Sequence, residues 1–578
     1  MIAERVGLDL QFSNMLTMKT TFSICLLLLV SGFVCAQETL RPKQTITKSL
    51  EPGKTELFSI QLNDGDYVNV AIGYKGRINF FLLYPDGTIT RRLAGTSGEG
   101  KVSFPFAAEG AGLYSFKFEN PGDQSANYEL GIGEIIPLNE RLKPVISSDP
   151  YPSPRIQALR KQIEAGNANT EAFWKEISAQ GTPLVEPSGS DGKYQLVTFL
   201  WRAIHDTRNV EVRGSFGDPP SPSDLALHRI QNSDVWYLTV KLPVGARFTY
   251  QLSPNDPLTF TGPRAAQRAA TSQADPLNPH RGCESNVSKF RCESVAELPG
   301  AAPQPWFGAK GGTPEGRVEK QTIKSAIQKL DRPFSVYTPA NYKADGPPNA
   351  LVIMFDGEDL SDDQYPVRTL NNLIGASKIP PTVAVFVENL PRRRLVDLVA
   401  SVDFADFMAT ELVPWIRSHY NVTRNPAQVV VGGYSAGGLA ATFVSLHHPE
   451  VFGNVLSESG AFWWSPEHND GICAARCPDS GGVSDRRGGA DATTEGNFLA
   501  KEFLARPRLP LRFYLAAGTF EIDSHGQGGK ILETTRQLRD ILLAKGYDVH
   551  YQQFVGGHDD LSWRGTLADG LIALLGNR

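Results

Sequence analysis

From Gln428 to Ala441 the chain reads QVVVGGYSAGGLAA, three valines running straight into four glycines grouped about one serine. An unbroken β-branched run without polar alternation fits a strand covered on both faces, as in parallel sheets flanked by helices. The glycines permit a sharp reversal that side chains would obstruct. Gly433-Tyr434-Ser435-Ala436-Gly437 matches G-x-S-x-G, the strand-to-helix turn that lifts a serine above the sheet edge. A helix opening behind Ser435 points its free N-terminal amides at any oxyanion formed there. A glycine-rich turn alone is also an ordinary strand exit. The strand before it and LAATFVSLHH after it make Ser435 a candidate nucleophile.

The surrounding segment supports that placement. ALVIMF, TVAVFV, QVVVGG, NVLSES, LRFYLAAG and VHYQQF read as strands, with FADFMATELVPWIRSHY and ILETTRQLRDILLAKG as helices among them. Strands alternating with helices predict an α/β hydrolase domain with a mostly parallel sheet over residues 321–578.

A serine nucleophile needs a base, and the base needs an orienting carboxylate. In this fold the chain order is serine, acid, histidine. His558, in VGGHDDLSWRG after the last strand, is the expected base, with surface histidine as the plainer alternative. His525 is a rival, but it follows the acid too closely to come from a separate loop. His447 and His448 on the helix after Ser435 read as structural. For the acid, LRFYLAAG runs into Thr519-Phe520-Glu521-Ile522-Asp523, and both Glu521 and Asp523 stand where a carboxylate is required. The oxyanion donors expected are the backbone N–H groups of Ala436 and of Glu358, the latter following Asp356-Gly357, a dipeptide that also makes plain turns.

A chain of 578 residues is too long for one core, so about three domains are expected. At the N-terminus Lys19 precedes the apolar run FSICLLLLVSGFV, and Val34-Cys35-Ala36 supplies a small-residue cleavage site. The run is too short to span a bilayer and reads as a secretory signal peptide over residues 1–36, so periplasmic or secreted protein is expected. Glu4, Arg5 and Asp9 ahead of Met18 fit no targeting region and point to Met18 as the start. Val34 is too large for the usual lipoprotein site before Cys35, so no stable membrane anchor is expected. A buried helix is the alternative, but nothing amphipathic or capped surrounds the run.

Beyond that segment four cysteines remain, in two close pairs, Cys283/Cys292 and Cys473/Cys477. In an exported chain these read as two local disulfides, and otherwise as four buried thiols. The net charge of −5 argues against a nucleic-acid partner. No metal-type cluster of cysteine and histidine occurs, and neither a metal nor another cofactor is expected.

Residues 37–140 read as a β-sandwich: TELFSIQL, YVNVAIGY, INFFLLYPDGTIT and GLYSFKFE alternate apolar with polar residues between turn signals. This segment resembles bacterial pre-peptidase C-terminal domains, which accompany secreted hydrolases. SSDPYPSP marks a linker. Residues 141–320 then hold two helices, SPRIQALRKQIEAG and ANTEAFWKEISAQG, and a second β-sandwich built from YQLVTFLWRA, NVEVRGSF, WYLTVKL and RFTYQL. ADPLNPH is a proline-fixed connector. The fold class expected is thus multidomain, two N-terminal β-sandwich domains followed by the α/β hydrolase domain.

GGYSAGGLAATFVSLHHPEVFGNVLSESGAFWW, FDGED, ELVPWI and GGHDDLSWRGTLADGL together resemble the enterochelin (enterobactin) esterase family, an esterase-D-like branch of the α/β hydrolases. SPRIQALRKQIEAGNANTEAFWKEI, GTPLVEP, VTFLWR and RFTYQLSPNDP resemble that family's N-terminal β-domain. The resemblance spans about residues 150–578. It implies ester hydrolysis on catecholate siderophores, with Ser435 as nucleophile, His558 as base and Glu521 matching the acid position better than Asp523. It carries the family's R-x-x-E-L arginine onto Arg394, with Asp397 in place of the glutamate. A leader and an extra β-domain depart from the family pattern.

A ferric tris-catecholate is anionic and aromatic, so Arg392, Arg393, Arg394 and Arg564 are candidates for charge recognition and Trp463 and Trp464 for ring stacking. A solvated arginine face and core tryptophans are the alternatives. Two other functions fit the sequence. One is a carbohydrate esterase acting on feruloyl or acetyl groups of polysaccharide, with carbohydrate as the partner. The other is a non-catalytic binding protein, against which the intact Ser435, acid and His558 argue.

Overall fold

Strict alternation builds the first domain. In the strand Ile78–Leu83, Ile78, Phe80 and Leu82 are buried while their neighbours are partly exposed, so one face of the pleat carries the core. The structure, a computed structural model, describes residues 38–96, 98–142, 153–217, 225–258, 267–283, 288–357, 364–465, 497–522 and 530–576.

The first sandwich stacks two sheets over one apolar core. One sheet orders Glu38–Thr39, Thr55–Leu62, Gly112–Glu119, Ile78–Leu83 and Ile89–Thr96; the other orders Thr45–Leu50, Ala126–Ile136, Tyr67–Lys75 and Glu99–Ala107. Four of these strands, the two-residue Glu38–Thr39 with Thr45–Leu50, Glu99–Ala107 and Ala126–Ile136, are additional to those read from the sequence. Glycine, proline or charge breaks the pattern that would announce them.

The second domain opens with the helices Pro154–Glu164, capped by Ser153, whose Oγ accepts from the Ile156 N–H at 3.2 Å, and Glu171–Gln180. Both pack on Leu184, Leu200 and Tyr237. Two antiparallel sheets follow, one running Leu184–Ser188, Tyr194–Arg202, Val235–Pro243 and His228–Arg229, the other Val210–Gly214, Arg247–Pro254 and Ser294–Glu297. Cys283 and Cys292 are joined as a disulfide beside this second sheet. The first sandwich meets this domain through the Lys289–Glu109 ion pair at 2.7 Å and the Asp206 N–H donated to Asp64 at 2.9 Å.

Among the described residues the third domain carries eight strands: β1 (Arg317–Ser325), β2 (Leu330–Thr338), β3 (Ala350–Met354), β4 (Thr382–Val387), β5 (Val429–Tyr434), β6 (Asn454–Glu458), β7 (Arg512–Gly518) and β8 (Asp548–Phe554). They lie in the order β1-β2-β4-β3-β5-β6-β7-β8. β1 and β2 run antiparallel to their neighbours, and from β4 onward every pairing is parallel. The hairpin of β1 and β2 is a correction to the sequence reading, which began the sheet at ALVIMF. β1 is a polar edge strand, partly exposed along most of its length, so it lacks the apolar run that marks a buried strand. It begins at Arg317, ahead of the expected boundary at 321.

Helices cover both faces of this sheet. Val429 and Val431 enter one core with helix α1 (Ala436–His447), while Val430 enters the other with helix α2 (Asp560–Leu575). The segment FADFMATELVPWIRSHY is helical from Phe404 to His419 but widens into a π-helical turn over Phe407–Leu412. Among the described residues no helix is long and apolar enough to cross a membrane.

Candidate active site

Three of the four glycines around Ser435 have a neighbour that excludes a side chain. A Cβ on Gly432 would lie 2.9 Å from Met354 Sδ, and one on Gly433 would lie 2.9 Å from the Gly437 carbonyl carbon. A Cβ on Gly438 would lie 2.4 Å from Ser457 Oγ. α1 is thereby drawn down onto β5 and β6 within one turn of the chain. The cost appears at Ser435 itself, held at φ 57° and ψ −122°. A non-glycine residue there stores about 1–3 kcal/mol of backbone strain, sustained by the packing around it. The Ser435 N–H donates to Glu458 O at 2.9 Å, and the Ser435 carbonyl accepts from Ala461 at 2.9 Å. Ala436 opens α1, so its N–H belongs to the first-turn amides that a helix leaves without an internal acceptor.

Glu521 and His558, the expected acid and base, follow the ends of β7 and β8. Past β7, Gly518 N–H donates to Glu521 Oε2 at 2.7 Å and Glu521 N–H donates back to Gly518 O at 3.2 Å, a tight turn that fixes the carboxylate. The Glu521 side chain is 2% exposed. Past β8, His558 Nδ1 donates to Glu521 Oε1 at 2.7 Å. The two loops are also joined by main chain: Thr519 N–H donates to Phe554 O at 2.9 Å and Phe520 N–H to Gly556 O at 3.1 Å. The His558 ring meets Trp563 edge-to-face at 4.9 Å between centroids, and Trp563 stacks on Tyr434, the neighbour of Ser435, at 4.3 Å. Trp563 Nε1 donates to Ser459 Oγ at 3.0 Å, which fixes the indole. An aromatic chain thus connects the serine turn to the histidine loop.

Arg394 lies beside this turn. Its guanidinium grips Asp356 with two bonds, Nε to Oδ1 at 2.5 Å and Nη2 to Oδ2 at 2.7 Å. Asn389 adds a third bond at 2.5 Å. Asp356 Oδ2 sits 3.3 Å from where a Cβ of Gly437 would be, so the carboxylate abuts the start of α1. Gly357 N–H is committed to Val387 O at 3.0 Å. The expected second oxyanion donor, Glu358, lies outside the described residues, as do Asp523, His525, Cys473 and Cys477. Asp397, the residue that departs from R-x-x-E-L, takes other partners: Arg332 at 2.6 Å, with both side chains buried, and Arg393 at 3.1 Å.

Three expected recognition residues are engaged differently. Arg564 is held at a domain contact, donating to Glu297 at 2.7 Å and Gln304 at 2.7 Å and covering the Phe307 ring. Burial lowers its pKa, and these partners explain why the cation is not an open one. Trp464 is 5% exposed within the core on the α1 side of the sheet, which leaves no free face for stacking. Trp463 is half-buried against Ala517, Ile531 and Leu532. His448 pairs with Asp406 at 2.8 Å, a structural contact.

Sequence reasoning missed Asp356, Tyr434, Trp563 and Glu458. Burial pushes the Glu458 carboxyl up to about 8, with Asp560 and Asp569 adding to the shift and the Thr566 hydroxyl opposing it. Asp560, next to the histidine loop, is also raised, by burial first and then by Asp559, Glu293 and Asp356, while His558 draws it down. FDG and DDLSW carried a local signal for the first and third of these residues; nothing local marks a buried glutamate at a strand end. Among the described residues no cluster of histidine, cysteine and carboxylates is arranged to hold a metal. The site offers a serine hydroxyl at a strained turn, an imidazole hydrogen-bonded to a buried carboxylate, and helix amides, groups of the kind that acyl transfer uses.

The esterase family model matches residues 325–574, and the model of the enterochelin esterase N-terminal domain matches residues 196–307. The iron(III) salmochelin esterase of Escherichia coli is 28% identical over 444 residues, 75% of this chain and 100% of that protein. The iron(III) enterobactin esterase of Dickeya dadantii is 28% identical over 452 residues, 73% of this chain and 96% of that protein. The crystal structure of the Shigella flexneri enterobactin esterase in the presence of enterobactin has a TM-score of 0.52 at 26% identity, covering 70% of this chain and 97% of that one.

Proposed function

The chain belongs to the enterochelin esterase family of ester hydrolases, and from that membership we propose an exported serine esterase that cleaves the ester bonds of a catecholate siderophore. The observation that carries the catalytic assignment is the 2.7 Å bond from His558 to the buried Glu521, on two loops that flank the strand-end region bearing Ser435. His558 Nε2 takes the Ser435 Oγ proton as Oγ attacks the ester carbonyl. Glu521 holds the imidazole in the right tautomer and stabilises the imidazolium. The oxyanion is met by the Ala436 N–H, with Glu358 N–H as the proposed second donor. Collapse of the tetrahedral intermediate expels the alcohol, which takes the proton from His558. Water then repeats the sequence on the acyl-enzyme.

The substrate class rests on relatives that carry salmochelin and enterobactin in their names, and on a cation beside the turn. Arg394 is half-exposed and is positioned by Asp356, a suitable partner for anionic catecholate rings. The iron of such a substrate is cargo, not a resident cofactor. Export is supported by the apolar leader and by the Cys283–Cys292 bond, which suits an oxidising compartment.

The test is a substrate panel with Ser435→Ala as control. Enterobactin should be cleaved to its dihydroxybenzoylserine units, far faster than methyl ferulate or acetylated xylan. Rapid ferulate or acetate release with inert enterobactin would overturn the substrate assignment. Turnover surviving in Ser435→Ala would overturn the mechanism.

A further inference from the structure

The histidine loop Val555–Asp559 contains two adjacent glycines, so its own backbone does little to restrict where His558 points. Beside the contacts to Phe520, Glu521 and Trp563 in its own domain, it is restrained by another domain. Arg247 N–H, in the second sandwich, donates to Val555 O at 3.0 Å. Asp559 Oδ2, next to His558, accepts from the Ser215 hydroxyl and from the Thr249 N–H at 3.2 Å. Ser215 is fixed in turn by Thr249, through Ser215 N–H to Thr249 O at 2.9 Å and Thr249 N–H to Ser215 Oγ at 3.0 Å. The other Asp559 oxygen caps α2, accepting from Ser562 N–H at 2.9 Å. Contact is close enough that a Cβ on Gly557 would lie 1.7 Å from Ser215 O. One buried carboxylate therefore joins the second sandwich, α2 and the residue beside the base.

We infer that Ser215 is a positioning residue for His558, so that the second β-sandwich completes the catalytic geometry of a domain it does not belong to. This rests on the triad reading above. The imidazole serves as base only with Nδ1 on Glu521 and Nε2 toward Ser435. Both conditions require the loop to stay at one height above β8. The Ser215–Asp559 bond sets that height from outside the loop, and Gly557 is the position at which only hydrogen allows the two domains to meet so closely. Releasing the bond lets the loop rise, and the Glu521–His558 contact lengthens with it.

The experiment uses the full chain and two readouts. One is hydrolysis of a p-nitrophenyl acyl ester; the other is the far-downfield imidazole N–H resonance of the His558–Glu521 bond, assigned by its loss in His558→Gln. Ser215→Ala should lower kcat on the order of 10- to 100-fold, the scale expected for a displacement of about 1 Å, with KM unchanged. The resonance should broaden or vanish, and Ser215→Thr, which keeps the hydroxyl, should restore both. Should Ser215→Ala fold poorly, Asp559→Asn should show the same two losses. Wild-type kcat and an intact resonance in Ser215→Ala would overturn the inference while Ser435→Ala still abolished turnover. If Ser435→Ala instead proved active, the triad reading would fall and the resonance alone would decide: its persistence in Ser215→Ala would refute the positioning role, and its loss would uphold it.

Discussion

Glu521 and His558 make opposite demands on their surroundings. The carboxylate is almost wholly buried, whereas the imidazole keeps 38% of its side chain exposed, open to a substrate. Replacing Glu521 with Gln removes the charge that stabilises the imidazolium and returns an amide to Nδ1. A loss on the order of 10⁴-fold in kcat is expected, compared with about a millionfold for Ser435→Ala. Steady-state kinetics on one ester with both variants checks the ranking; equal activity of Glu521→Gln and wild type would leave His558 without its acid. Glu458, below the same turn, makes a prediction about stability instead. Its carboxyl titrates near 8 in the folded protein against about 4.5 unfolded, so the folded state holds a proton that the unfolded state has released. Stability contributed by that proton is full below pH 4.5 and is lost as pH rises to about 8. Glu458→Gln cannot release a proton, so its melting temperature should fall less than the wild type's between pH 5 and 8. Parallel slopes in thermal scans across that range would contradict this.

At the scale of elements, the turn from β5 into α1 was open to reading from sequence, because its geometry is expressed in residue type. Consecutive glycines are needed where backbones approach within van der Waals distance, and that need is local. The positions of Glu521 and His558 could be read because each follows a strand by a few residues, Glu521 the buried apolar β7 and His558 the partly exposed β8. The β1–β2 hairpin could not, since a polar edge strand lacks the pattern that burial imposes. The Ser215–Asp559 bond joins residues 344 apart and leaves no trace in either segment. The glycine argument is itself testable. A Cβ at Gly438 would press on Ser457 Oγ at 2.4 Å and on Gly460 Cα at 3.0 Å, whereas one at Gly437 would meet nothing closer than 3.3 Å. Gly438→Ala should therefore cost about 1–3 kcal/mol from overpacking and reduce turnover by shifting α1, with Gly437→Ala milder on both counts. Denaturant titration of the two variants gives the comparison, and the reverse order would refute the packing account.

Across the whole molecule, covalent and non-covalent ties hold three bodies in sequence. The disulfide Cys283–Cys292 spans only nine residues, so its chain-entropy contribution is on the order of 2–3 kcal/mol. Cys283→Ser should lower stability by no more than that, leave kcat intact, and abolish the Cys283–Cys292 bridged peptide that non-reducing mapping recovers from the wild type. A collapse of folding would mean that the bridge does more than close a loop. The order of the catalytic sheet carries one last consequence. β8 is its terminal strand, and a terminal strand offers unpaired amides and carbonyls to any passing chain. Where that strand ends, Arg247 of the neighbouring sandwich adds a single bridge, as if starting the next strand and stopping after one residue. The sandwich thus caps the end of that margin just past β8. A catalytic domain expressed from residue 317 onward would uncap that margin, and self-association through it, visible as concentration-dependent light scattering, is the behaviour to expect of the isolated fragment.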